Sequence, residues 1–147
     1  MLVKLLPLFF NVCSQVLALN QKHIESTNTS PEVFLIPEGN IKIKGRGLTV
    51  NRTKVPDQIM EWIEQYLLDP ADTTCIDICF EYLNSYSSTI LASIIKKIRS
   101  VEIMNKKLII NWYYEDDDDD VYERGEYLSS SLNVPFNFIR ISDITKC

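Results

Sequence analysis

Between Thr74 and Ile98 the hydrophobic pattern changes period once, from two to about 3.6, within 25 residues. Ile76, Ile78, Phe80 and Tyr82 alternate with other residues, which predicts a strand with one buried face. Ile90, Leu91, Ile94, Ile95 and Ile98 then recur at helical spacing and predict a helix with one dry side. A strand feeding a helix through a tight junction is the repeating unit of an α/β sheet. The junction itself is Asn84-Ser85-Tyr86-Ser87-Ser88, an asparagine and three serines where sheet ends and helix begins.

The first turn of a helix carries unpaired N–H groups and a partial positive charge. Two uses of these hydroxyls are therefore open. A serine here caps the helix as a neutral acceptor. A phosphorylated serine places about two negative charges where backbone donors already point, so a partner meets a different surface.

The flanking chain repeats the alternation of strand and helix. Val33 to Ile36 and Ile41 to Lys44 predict two strands joined by Pro37-Glu38-Gly39-Asn40, with Gly39 supplying the positive φ of a hairpin turn. A first helix is predicted from Val55-Pro56, with Ile59, Trp62, Ile63, Tyr66 and Leu67 as its apolar stripe, ending by Asp69-Pro70. Leu108 to Tyr114 predicts another strand. On it Asn111, like Asp77 and Glu81 before it, leaves the second face partly polar, which predicts helices mainly on one side of the sheet. Glu115 to Asp120 are all acidic; they suit a solvated helix start better than a metal cage, which needs ligands converging from a curved loop. Val121, Gly125, Leu128 and Leu132 predict the last helix, with Gly125 allowing close approach to the sheet. Phe136, Phe138 and Arg140-Ile141 predict the last strand. The expected fold is α/β, a mixed sheet of five to six strands with three helices packed mainly on one face.

Composition narrows the function. With 147 residues the chain suffices for one domain with a real core. A net charge of −5 opposes nonspecific nucleic-acid binding. The four cysteines form no C-x-x-C pair, and the single His23 is too little for a usual zinc site; it is expected on a surface strand. Cys75 and Cys79 would lie ~13 Å apart along a strand, too far for a mutual disulfide. They are expected as small buried thiols in a reducing compartment. No G-x-S-x-G elbow or base beside a nucleophile is present, so no enzyme activity and no cofactor are expected.

Residues 1–19 are expected to lie outside the fold, with the domain spanning 20–147. Lys4 precedes an apolar run, Leu5 to Val12, that is too short to cross a membrane. Two readings of it are open, a cleaved secretory signal and an upstream extension foreign to the domain. N-x-S/T triplets at Asn28 and Asn51 carry no meaning in a cytoplasmic protein.

Several strings resemble those of a known family, the SiaC family of bacterial regulatory phosphoproteins. They are Ile24-Glu25-Ser26-Thr27, Ser30-Pro31-Glu32-Val33, Gly45-Arg46, Phe80-Glu81-Tyr82-Leu83-Asn84-Ser85, Asn111-Trp112-Tyr113-Tyr114-Glu115 and Pro135-Phe136-Asn137. The resemblance runs from about Ile24 to Ile139. It implies a two-layer, STAS-like sandwich similar to single-domain anti-sigma-factor antagonists. It also implies a non-catalytic, cytoplasmic partner switch. A GHKL-type kinase phosphorylates such proteins just after the central strand, and a PP2C-type phosphatase reverses it. In the best-known system the unphosphorylated form activates a diguanylate cyclase, which links the switch to biofilm regulation. The family's acceptor threonine, in Tyr-Phe-Asn-Thr-Ser-Ser, falls on Ser85 here, with Ser87 as the alternative acceptor. Asn84, Tyr86 and Ser88 are then expected to meet partners, and Tyr86 departs from the family's small residue. No nucleic-acid or membrane partner is implied. The other class of function left open is an exported acidic binding module.

Overall fold

The computed structural model describes residues 19–48 and 53–147. The expectations for the apolar run and for the triplet at Asn51 lie outside the described residues. Six strands form one sheet in sequence order: β1 (Lys22–Ile24), β2 (Glu32–Ile36), β3 (Asn40–Arg46), β4 (Thr73–Tyr82), β5 (Lys107–Glu115) and β6 (Asn137–Ile141). β1, β2 and β3 pair antiparallel, and β3 through β6 pair parallel. Three helices fill the parallel crossovers: α1 (Val55–Tyr66), α2 (Ser85–Ile98) and α3 (Asp119–Leu132). A 3-10 segment (Arg99–Met104) follows α2, and a shorter one (Ile144–Lys146) follows β6.

The position of the helices follows from the strand order. Each parallel connection steps to the next strand in the same direction, and right-handed crossovers then place every helix on the same face. The alternation in the strands agrees. Ile41, Ile43, Ile76, Ile78, Ile110 and Trp112 point into the helical layer and are almost fully buried. They meet Trp62, Ile63 and Tyr66 of α1, Leu91, Ile94, Ile95 and Ile98 of α2, and Leu128 of α3 in one apolar cluster. The opposite face carries Lys42, Lys44, Asp77 and Asn111, all half-buried. There Asn111 Nδ2 donates to Asp77 Oδ1 at 2.9 Å, and Asn137 Nδ2 donates to Asn111 Oδ1 at 3.1 Å. His23 sits on this face too, exposed, stacked on Phe34 and bonded to Glu32 at 3.0 Å.

Two glycines do what their positions require. Gly39, in the hairpin between β2 and β3, has φ +106°, a conformation an L side chain rarely adopts. Gly125 lets α3 lie against β5: a Cβ there would come within 2.6 Å of the Trp112 ring, whose Nε1 donates to the Val121 carbonyl at 3.0 Å. The acidic run resolves into a strand end and a helix start. Glu115 closes β5, and Asp118 caps α3 by accepting the Val121 N–H at 3.1 Å.

The cysteines depart from expectation. Cys79 is buried, as foreseen, but it is joined to Cys147 in a disulfide rather than standing as a free thiol; their Cα atoms are 6.3 Å apart. The two positions are separated by 68 residues, and they meet because the chain after β6 turns back under the sheet's open face. Ile144 is buried in that turn, and its N–H donates to Glu115 Oε1 at 2.8 Å. Cys75 keeps a free thiol. Burial, helped by Asp77 and opposed by the Asn111 amide, pushes that thiol above its usual pKa.

Candidate functional site

The junction after β4 is built by one asparagine and a strap from β3. Leu83 drops into the core at 1% exposure and ends the strand. Asn84 takes an extended backbone, φ −101° and ψ 176°, and caps α2 by accepting the Ser87 N–H on Oδ1 at 2.8 Å. Its Nδ2 donates to the Leu48 carbonyl at 2.9 Å. The strap is Gly47-Leu48, whose Gly47 N–H donates to the Tyr82 carbonyl at 2.8 Å. Gly47 has to lack a side chain, because a Cβ would lie 2.6 Å from Ser87 Oγ.

The three serines take different roles in this frame. Ser85 is the first residue of α2 and is exposed. Ser87 is 3% exposed, and its hydroxyl donates to the Leu48 carbonyl at 3.2 Å. The alternative acceptor, Ser87, is thus covered by the strap, whereas Ser85 stands open to solvent. Ser88 is half-buried and donates to the Asn84 carbonyl at 3.1 Å, while Thr89 donates to the Ser85 carbonyl at 3.0 Å. With Asn84 as the cap, the Ser85 hydroxyl is not needed to start the helix.

Of the residues expected to meet partners, Asn84 is half-buried and spends its side chain on the cap and the strap. Tyr86 packs partly against the core, and Ser88 lines a groove. The groove went unseen in the sequence. It is about 610 Å³, runs between α2 and α3, and begins at Ser85. Ser88, Thr89 and Lys96 lie on one wall; Asp120, Arg124 and Tyr127 lie on the other. Tyr127 is 72% exposed at its rim, and Arg124 Nε donates to Asp120 Oδ2 at 3.2 Å. The Asp120/Arg124 spacing of four was legible as a helical pair. That the pair lines one groove with Ser85 depended on packing two helices side by side, which no local signal encodes. Among the described residues there is no group of three or more His, Cys, Asp or Glu able to hold a metal, and no helix long and apolar enough to cross a membrane.

Fold and junction together define a single-sheet, two-layer α/β domain that presents one free hydroxyl at the start of its second helix. A model of the SiaC family regulatory phosphoproteins matches residues 24–141, and the chain belongs to that family. Solved structures agree on the fold. A chain in the crystal structure of the diguanylate cyclase SiaD in complex with its activator SiaC, from Pseudomonas aeruginosa, superposes with a TM-score of 0.73 at 21% identity. That match covers 82% of this chain and 99% of the other. Apo-SiaC from the same organism gives a TM-score of 0.71 at 21% identity, over 82% and 98% of the two chains. No curated protein sequence matches.

Proposed function

We propose that this protein is a non-catalytic, phosphorylation-controlled partner switch whose acceptor is Ser85. A GHKL-type kinase transfers the γ-phosphoryl of ATP to Ser85 Oγ; ADP leaves and the hydroxyl proton passes to a base of the kinase. A PP2C-type phosphatase hydrolyses the ester and restores the hydroxyl. The unphosphorylated form binds an effector, and the phosphate releases it through charge repulsion and desolvation at the interface, with the domain itself unchanged. Membership of a regulatory phosphoprotein family supports this reading. A solved SiaC serves as the activator of a diguanylate cyclase, which makes a cyclase the effector to test first. The observation that carries the proposal is the exposed Ser85 beside a cap already supplied by Asn84.

The test is calorimetric binding of a diguanylate cyclase from the same cell to the parent protein, Ser85→Ala and Ser85→Asp. Parent and Ser85→Ala are expected to bind alike, and Ser85→Asp at least ~10-fold more weakly, ~1.4 kcal/mol. Equal binding by all three contradicts the proposal.

One observation favours a second reading, an exported acidic binding module. Disulfides persist in oxidising compartments, and Cys79 is bonded to Cys147. The first reading puts the domain in the cytoplasm, where a kinase finds ATP. N-terminal sequencing of the protein from its own cells separates the two: loss of the apolar run by cleavage selects the exported module.

A further inference from the structure

The groove beside Ser85 holds a cation already tied down by a carboxylate. α2 and α3 both follow parallel neighbouring strands, so both begin at the same edge of the sheet, with Ser85 and Asp120 at one end of the groove. Arg124 lies one turn further along α3. Helical side chains lean back toward the helix N-terminus. The Nε bond to Asp120 Oδ2, at 3.2 Å, therefore holds the guanidinium back toward that end, across the groove from Ser85. Asp120 engages only Nε; Arg124 has four further N–H donors on its two terminal nitrogens. Both side chains of the pair are solvent-accessible, 34% for Arg124 and 69% for Asp120, so exchanging one partner for another needs no repacking of the core.

The geometry points to Arg124 as the phosphate receiver of this domain: when Ser85 carries a phosphate, the guanidinium leaves Asp120 and pairs with the phosphate across the groove. The inference rests on Ser85 being the modified residue and adds what the domain does next. A phosphate carries about twice the charge of a carboxylate and offers oxygens that match the guanidinium fork. Asp120 is the competitor that holds Arg124 in the unphosphorylated state. Phosphorylation would then change two things at the groove mouth at once. The Ser85 side gains a dianion, and the α3 side gains an unpaired Asp120 carboxylate. A partner reading this end of the groove would meet the added negative charge divided between both helices rather than confined to the modified serine.

The test installs phosphoserine directly at position 85 by genetic incorporation and follows its phosphate by phosphorus-31 NMR as a function of pH. A phosphate paired with a guanidinium gives up its second proton more readily. Arg124→Gln is expected to raise the phosphate's second pKa by about half a unit or more, a threefold change in its acid constant. Asp120→Asn, which frees the guanidinium and removes a competing anion, is expected to lower it. Lys96→Gln is the control: it removes a positive charge from the same groove, but eleven residues along α2, ~16 Å from Ser85. It is expected to shift the titration by less than a third of the Arg124→Gln effect. An Arg124→Gln titration that overlays the parent overturns the inference, and so does a Lys96→Gln shift of equal size. Because the phosphate is installed without a kinase, a finding that no kinase modifies Ser85 would sink the proposed function while leaving this titration readable.

Discussion

Asn84 joins the strand, the helix and the strap with one side chain. Replacing it by alanine removes the cap on Ser87 N–H and leaves the Leu48 carbonyl one donor short. Asn84→Ala is expected to lower unfolding free energy by about 1–2 kcal/mol in chemical denaturation. Asn84→Asp keeps the cap and is expected to recover about half of that loss. A second residue-scale prediction concerns acid. Glu32 is held below its ordinary pKa of 4.5, first by the His23 hydrogen bond and further by the Lys44 ammonium, with burial opposing. A carboxylate lowered in the folded state stabilises it above the unfolded pKa, and that stabilisation fades as pH falls through the lower folded value. Glu32→Gln is therefore expected to be less stable than the parent above about pH 4.5, with the two curves converging as the pH is lowered further. A gap that stays constant down to the acid limit would show that Glu32 acts through packing instead. At this scale the sequence was only partly readable. The hydroxyl cluster stood out, yet which member faces water was decided by Leu48, a residue 39 positions from Ser87.

The elements were the most legible part, because each had an unbroken hydrophobic period. α1, α2 and α3 lie where their apolar stripes place them; β5 extends one residue beyond its marked span at each end, and β4 starts at Thr73, three residues before the alternation that marked it. Gly125 illustrates how much a single position in an element implied. Its place on the buried stripe of the third helix foretold close approach, and Trp112 is what it approaches. Gly125→Ala sets helix propensity against packing. Alanine gains up to about 1 kcal/mol as a helix former, but its Cβ would overlap a fully buried indole. We expect the clash to win, with a net loss of about 1–2 kcal/mol and a lower thermal midpoint. A midpoint raised by the substitution would mean that α3 can shift away from β5 without penalty. The groove between α2 and α3 had no comparable signature. It opens on the solvent side of the line where α2 and α3 pack, and hydrophobic periods report only the buried side of that contact.

At the scale of the whole molecule, one face of the sheet is sealed by helices and the other is crossed by the chain after β6. Strand order and right-handed crossovers explain the first; the Cys79–Cys147 bond and buried Ile144 hold the second. The return of the tail was invisible in the sequence, since nothing local links residues so far apart. Closing a loop of that span restricts the unfolded chain, and the chain-entropy model puts the effect at up to about 4 kcal/mol. Oxidised protein is therefore expected to melt higher than protein in excess reductant, and Cys147→Ser is expected to abolish the difference. An unchanged midpoint in reductant would show that the tail adds nothing to the domain's stability. These features frame the switch without performing it. On the proposed reading the helical layer is the platform, and the Ser85 hydroxyl is the part that would change state. Phosphosite mapping by mass spectrometry, on protein purified from its own cells, tests that directly. The account predicts a single phosphate on the peptide containing Ser85, absent from the Ser85→Ala variant. A Ser85 that is never modified, with phosphate on another residue or on none, would contradict it.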